Sequence, residues 1–297
     1  MPILRSAWRR FQSLSSRRDF LEGLLVACAF LAYFAVRGAV IDRPEAAYDH
    51  AVDLIELQRR MGIFWEDDMQ GWVKNKLFIV QSFNVIYFWL HFPLIIACGI
   101  WLYYSQRAKY TLIRDAFLIS GALALVVYWL YPMAPPRELP DLARTFDLGA
   151  PSYVRGFTDT LRDHLGYAYD TQSTRAFVNP YAAMPSLHFG WDLLLGIGMV
   201  WAFWGRRWMW VMAPIGVALP TLQVFAITLT GNHFFLDAVA GAAVSLVAIP
   251  IAVAVSRWVY PRLGEMIVLL PWPAVRSFLL SEPDLNGLPR EAETSQV

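Results

Sequence analysis

The chain has 297 residues, of which 57% are hydrophobic and 16% charged, and its formal net charge is +1. With a mean hydropathy of +0.40, that composition describes a polytopic membrane protein and excludes a soluble globule. The near-neutral charge gives no electrostatic reason to expect a nucleic-acid partner, and Cys28 and Cys98 both fall inside apolar runs, so no disulfide framework is expected.

In chain order, residues 1–19 carry Arg5, Arg9, Arg10, Arg17 and Arg18 and read as a basic cytoplasmic N-terminus. The first apolar run, 20–41, matches the ~20 residues a bilayer needs. No small-residue cleavage site follows it, so it reads as a retained span and not as a signal peptide. Residues 42–76 are mixed in charge; Ala51, Leu54, Ile55 and Met61 share a face, which predicts a helix lying at the interface. Spans two and three are expected at 77–103 and 113–132. The polar stretch 133–186 is too long for a structureless connection and predicts a lid or re-entrant element folded over a site. Spans four to six follow at 187–204, 209–230 and 233–256. The expected fold is therefore all-α: about six transmembrane helices over 20–256, an interfacial helix and a long extracytoplasmic loop. The run from Met266 to Leu280 is broken by Pro271 and Pro273 and reads as interfacial, and 281–297 as a disordered tail.

Basic residues give an orientation. They crowd the N-terminus, the 104–114 loop (Arg107, Lys109, Arg114), the 205–208 loop (Arg206, Arg207) and the exit from span six (Arg257, Arg262). These segments alternate onto one side, which the positive-inside rule makes cytoplasmic, with both termini there. The long loop and the Thr230-Gly231-Asn232 turn then face outward, and a plasma-membrane protein with an extracytoplasmic site is expected.

Two stretches carry the chemistry. Asn179-Pro180-Tyr181-Ala182-Ala183-Met184-Pro185-Ser186-Leu187-His188 opens an apolar run. Pro185 presets the backbone and Ser186 can cap the helix, leaving a first turn of N–H groups suited to an anion such as phosphate. His188 stands beside them as a proton donor or acceptor. The second stretch, Thr230-Gly231-Asn232-His233-Phe234-Phe235-Leu236-Asp237, also opens an apolar run. The four-residue spacing predicts His233 and Asp237 on one helical face, with the carboxylate fixing the imidazole tautomer and freeing the other nitrogen as nucleophile or base. Asp192 lies one turn inside span four, where a carboxylate is costly; it reads either as a substrate-binding group or as the partner of a neighbouring helix. Arg137, stiffened by Pro135 and Pro136, has the fork geometry for phosphate, or it snorkels to the headgroups. Arg175, Asn179 and Asn232 are further substrate-binding candidates. Among the remaining polar groups, His91, Asn84 and Tyr87 read as packing residues within span two, and His50 and His164 as solvated loop residues. Two histidines and an aspartate could hold a metal, but an anion-binding helix start opposes a cation, so no metal and no cofactor are expected. A proton-coupled transporter is the rival class, disfavoured because the polar groups gather at one face.

Ala134-Pro135-Pro136-Arg137, Pro185-Ser186-Leu187-His188 and His233-x-x-x-Asp237, in that order, resemble the type 2 phosphatidic acid phosphatase superfamily over roughly 77–256. Leu187 stands where the phosphatases usually have Gly, and Glu138 where Pro would follow Arg137; Ala134-Pro135-Pro136-Arg137, Ala183-Met184-Pro185-Ser186-Leu187-His188 and Gly231-Asn232-His233 are similar to the Aur1/Ipt1-like inositolphosphotransferase branch. The resemblance implies metal-independent phosphoryl chemistry on a lipid phosphate or phospholipid. His233 would form a phosphohistidine, Asp237 orient it, His188 act as acid and base, and Arg137 clamp the phosphate. The phospho group would pass to a polyol or lipid alcohol, or to water. Two cationic positions of the family pattern are occupied by Leu130 and Ile227. The aromatics Tyr153, Phe157, Tyr167, Tyr169, Phe177 and Tyr181 could shape a headgroup pocket or simply pack.

Overall fold

The computed structural model describes residues 17–39, 43–160 and 179–268. The chain divides into two compact units, Ala32–Ala254 and a second made of the two chain ends. The second contains the helix α11 (Tyr260–Val268), which follows a π-helical turn, Val255–Val259.

Among the described residues the fold is all-helical, without strands. Four helices are long and apolar enough to cross a membrane: Asp19–Gly38, Arg107–Leu130, Met209–Leu229 and Phe235–Leu263. The protein is an integral membrane protein. The first of these lies in α1 (Arg17–Ala39), and the next two are α6 (Arg107–Leu130) and α9 (Met209–Leu229). The fourth begins with α10 (Phe235–Ala254). Two further apolar helices are shorter, α5 (His91–Ser105) and α8 (Leu187–Phe203). The expected second span is not one regular helix. It runs as α4 (Leu77–Val85), a π-helical turn at Ile86–Leu90, and α5. Helix α8 packs against α6, α9 and α10, and α10 packs along α6.

Between α1 and α4 lie α2 (Pro44–Met61) and α3 (Glu66–Val73). α2 starts with proline in its first turn, where no N–H is needed, and ends on Gly62 in the left-handed region. Its buried face is Ala47, Tyr48, Ala51, Leu54, Ile55 and Gln58. Met61, expected on that face, is 57% exposed. At 100° per residue it has drifted off the stripe by the last turn. The buried face is covered by the first part of the polar stretch. There a 3₁₀ turn (Pro136–Glu138), α7 (Leu139–Thr145) and a second 3₁₀ turn (Ser152–Val154) bring Leu139, Leu142, Val154 and Phe157 onto α2 and Phe234. Phe157 and Tyr153 therefore pack, each edge-on to Phe64. Tyr167, Tyr169, Phe177, His164 and Arg175 lie outside the described residues. His50 is no solvated loop residue: on α2 it donates from Nδ1 to the Pro132 carbonyl at 2.8 Å and stacks on Tyr131.

Candidate active site

The turn before α8 is pinned on both sides. Met133 N–H donates to Tyr181 O, and Ala183 N–H donates back to Met133 O. The Tyr128 hydroxyl, from α6, donates to the Pro185 carbonyl at 2.8 Å. Ser186 is the N-cap, as its sequence position predicts; its Oγ accepts from Phe189 N–H at 3.5 Å. Its own N–H donates to the Asp237 carbonyl at 2.9 Å, tying the start of α8 to the start of α10. Glycine makes this contact possible. A Cβ on Gly241 would sit 2.1 Å from the Ser186 carbonyl oxygen, so any side chain there would drive the two helix starts apart.

The second half of the site is the turn between α9 and α10. The Ile227 carbonyl accepts from both Asn232 and His233 N–H, and Gly231 takes φ +68°, a conformation L side chains rarely adopt. α10 begins at Phe235, so His233 precedes the helix and does not share a helical face with Asp237, contrary to the simple spacing argument. The two still meet. Asp237 folds back so that Oδ2 accepts from Phe234 N–H at 2.9 Å and lies 3.5 Å from His233 Nδ1. The closer partner of Nδ1 is the Ala183 carbonyl, at 2.8 Å. A carbonyl only accepts, so Nδ1 carries the proton and Nε2 keeps its lone pair.

His188 opens the first turn of α8, and its ring centroid is 5.8 Å from that of His233. Tyr87 stacks on it at 4.2 Å, and His91 lies 4.8 Å away. The π-helical turn at Ile86–Leu90 lies between α4 and α5 and carries Tyr87, with His91 directly after it. Such turns recur at functional sites because they shift a side chain off the regular helical register. His91 Nδ1 donates to Asp192 Oδ1 at 2.8 Å, both residues being buried. Asp192 is thus the partner of a neighbouring helix, α5. His91 and Tyr87 pack as expected, but what they pack against is His188.

Arg137 is 8% exposed. Its N–H donates to the Gly231 carbonyl at 2.9 Å, placing it on the His233 turn. Its Nε lies 3.4 Å from Glu138 and 3.6 Å from Asp159, so two carboxylates balance its charge. Arg37, from α1, holds its guanidinium carbon 6.0 Å from the centre of the Tyr128 ring. Sequence reasoning missed Arg37, although a basic residue within an apolar span is itself a signal. Asn232 Nδ2 donates to Thr230 Oγ1 at 2.5 Å and Asn179 Oδ1 accepts from Tyr181 N–H at 2.8 Å, so both serve their turns. No cluster of three His, Cys, Asp or Glu arranged to hold a metal occurs among the described residues.

A buried, histidine-paired site at two joined helix starts can hold an anion and exchange a group with it. Comparisons with curated proteins and with solved structures give no match. A family model does: residues 52–251 match the PAP2 superfamily, a span that takes in α3 to α9 and both histidine turns. The chain belongs to the PAP2 superfamily.

Proposed function

We propose that the protein is a membrane phosphotransferase acting on a lipid-linked phosphate or phosphodiester. His233 Nε2 attacks phosphorus, the bond from phosphorus to the departing alcohol oxygen breaks, and His188 gives that oxygen its proton. A second alcohol, deprotonated by His188, then attacks the phosphohistidine and frees His233. A covalent intermediate divides one hard displacement into two easier ones. Charge on the transferring group is met by Arg137, Arg37 and the N-terminus of α8. Arg37, 6.0 Å from the ring of Tyr128, which holds the Pro185 carbonyl, is the basic residue proposed to compensate for Leu130 and Ile227.

The observation that carries this reading is the pairing of the two rings. His188 and His233 lie 5.8 Å apart, centroid to centroid, and the nucleophile's Nδ1 is already committed to a carbonyl. That separation supports placing one phosphoryl group between the nucleophilic nitrogen and the acid that serves its leaving group. An alcohol acceptor, in the manner of an inositolphosphotransferase, is favoured by Leu187 and Glu138, which depart from the phosphatase pattern. Water in the same position gives a lipid phosphate phosphatase. The site opens on the extracytoplasmic side of a six-span domain in the plasma membrane, as the arginine distribution implies.

The test is a product analysis. Purified protein is incubated with labelled lipid phosphates and phosphoinositides, with and without free polyols, in EDTA, and products are identified by mass spectrometry. Transfer to a polyol in EDTA is the expected result. Free phosphate alone gives the phosphatase, and loss of all turnover in EDTA with recovery by one divalent ion contradicts the scheme.

A further inference from the structure

A hydrogen-bonded brace joins α2 and α3 to the turn that carries His233. Gln58, Glu66 and Gln70 are all buried there. Glu66 Oε1 accepts from Gln58 Nε2 at 2.7 Å and from the Phe235 N–H at 2.6 Å. Its Oε2 accepts from the Trp65 N–H at 3.0 Å. Gln58 Oε1 takes the next amide of α10, Leu236, at 3.4 Å. These two amides belong to the first turn of α10, where no intrahelical acceptor exists. Gln70 abuts the other end of the turn without bonding to it. It exchanges two 2.9 Å hydrogen bonds with the Thr158 backbone, and its Nε2 lies 2.6 Å from where a Cβ on Gly231 would be. The segment from 230 to 236 is thus held at its helical end and abutted at Gly231, with Glu66 reaching it from 169 residues earlier in the chain.

A buried carboxylate is an expensive way to fill this space. An apolar side chain would avoid that cost but would leave the Phe235 N–H and Gln58 Nε2 without an acceptor. The acceptor atom is therefore what the position requires. Resting on the reading of His233 as the phosphoryl acceptor, we propose that Glu66 is a positioning residue for it. Glu66 Oε1 pins the start of α10 to α2, and so holds the 230–237 turn with His233 Nε2 facing both phosphorus and His188. Glu66 touches no substrate and acts only through this turn.

The experiment uses the full chain in lipid nanodiscs, with Glu66→Gln, Glu66→Ala and Gln58→Leu. Phosphoenzyme formation and steady-state kinetics are measured on a lipid phosphate, and amide exchange is followed over residues 230–240. Glu66→Gln keeps an Oε1 acceptor and should keep both the parent's kcat and its protection. Glu66→Ala should lose on the order of 10²-fold in kcat, the scale of a small misplacement, with KM little changed because the anion contacts remain. Its 230–240 amides should exchange faster. Gln58→Leu, which fills the same space, should speed exchange at Phe235 and Leu236 even if Glu66→Ala does not fold. Parent-like kcat and protection in Glu66→Ala, unchanged exchange in Gln58→Leu, or a Glu66→Gln protein as impaired as Glu66→Ala would each overturn the proposal. A parent that turns over without phosphoenzyme would defeat the phosphohistidine reading, and the exchange data would still decide whether Glu66 holds the turn.

Discussion

His233 Nδ1 lies 2.8 Å from the carbonyl oxygen of Ala183, nearer than any carboxylate. That bond sets the imidazole tautomer from the backbone of the opposite helix start. Asp237, at 3.5 Å, acts in another way, because its charge faces the imidazole when phosphorylation makes the ring cationic. Where a carboxylate alone sets the tautomer, its amide replacement costs about 10⁴-fold. Here the tautomer survives Asp237→Asn, and the amide oxygen can still accept from Phe234 N–H. The expected loss in kcat is that of one nearby charge, roughly 4 kcal/mol at most, or up to about 10³-fold. Turnover assays on the folded variant check this. A loss of ~10⁴-fold or more would mean that the carbonyl does not hold the tautomer. Parent-like turnover would mean that the charge is idle.

The two histidines should separate by leaving group. General-acid help is worth about 10²–10⁴-fold and shrinks as the departing alcohol becomes more acidic. With a nitrophenyl phosphate ester that enters the site, His188→Ala should regain a burst of nitrophenol while its steady turnover stays low, because His188 also deprotonates the acceptor. His233→Ala should give no burst. Equal loss in both variants, or rescue of His233→Ala alone, would reverse or remove the assignment.

Glu66 should leave a mark on stability against pH. Burial pushes its carboxyl above the usual carboxylate range and the charge of Asp237 adds to this, while hydrogen bonds from Phe235 and Gln58 pull it partly back. Between the ordinary and the raised value, the folded protein holds a proton that the unfolded chain has released. Stability from this group is therefore present at low pH and lost as pH rises through that window. Glu66→Gln has no such proton. Thermal melts in detergent should show the difference, Glu66→Gln minus parent, growing as pH rises from the ordinary carboxylate range, and parallel curves would contradict the shift.

Much of the helical layout was legible because bilayer-length apolar runs leave few alternatives. The predicted 209–230 span is α9, Met209–Leu229, and 187–204 is α8, Leu187–Phe203. The motif histidines were legible for the same reason, since each opens such a run. What sequence could not give was contact between distant segments. Nothing near Ala183 announces that its carbonyl will meet His233, and nothing in the 42–76 segment marks Glu66 as the partner of Phe235. The π-helical turn that carries Tyr87 against His188 leaves no periodicity signal in a uniformly apolar run. Asp192 showed the limit from the other side: its depth in the span flagged it correctly as unusual, but only packing chose His91 as its partner.

Orientation can be read with thiols. In a background lacking Cys28 and Cys98, cysteines replacing the exposed Thr145 and Asp147 should react with an impermeant reagent in intact cells, and one replacing the exposed Arg206 should not. The reverse pattern would put the site on the cytoplasmic side.

Isolation of the covalent intermediate tests the central claim most directly. The protein is mixed with a phosphorus-labelled lipid phosphate, quenched within one turnover, and digested under alkaline conditions that preserve phosphohistidine. The expected result is label on the peptide containing His233, stable to base and lost in acid, and missing from His233→Ala. Label on any other residue, or rapid turnover with no labelled peptide at any quench time, would contradict the phosphohistidine mechanism.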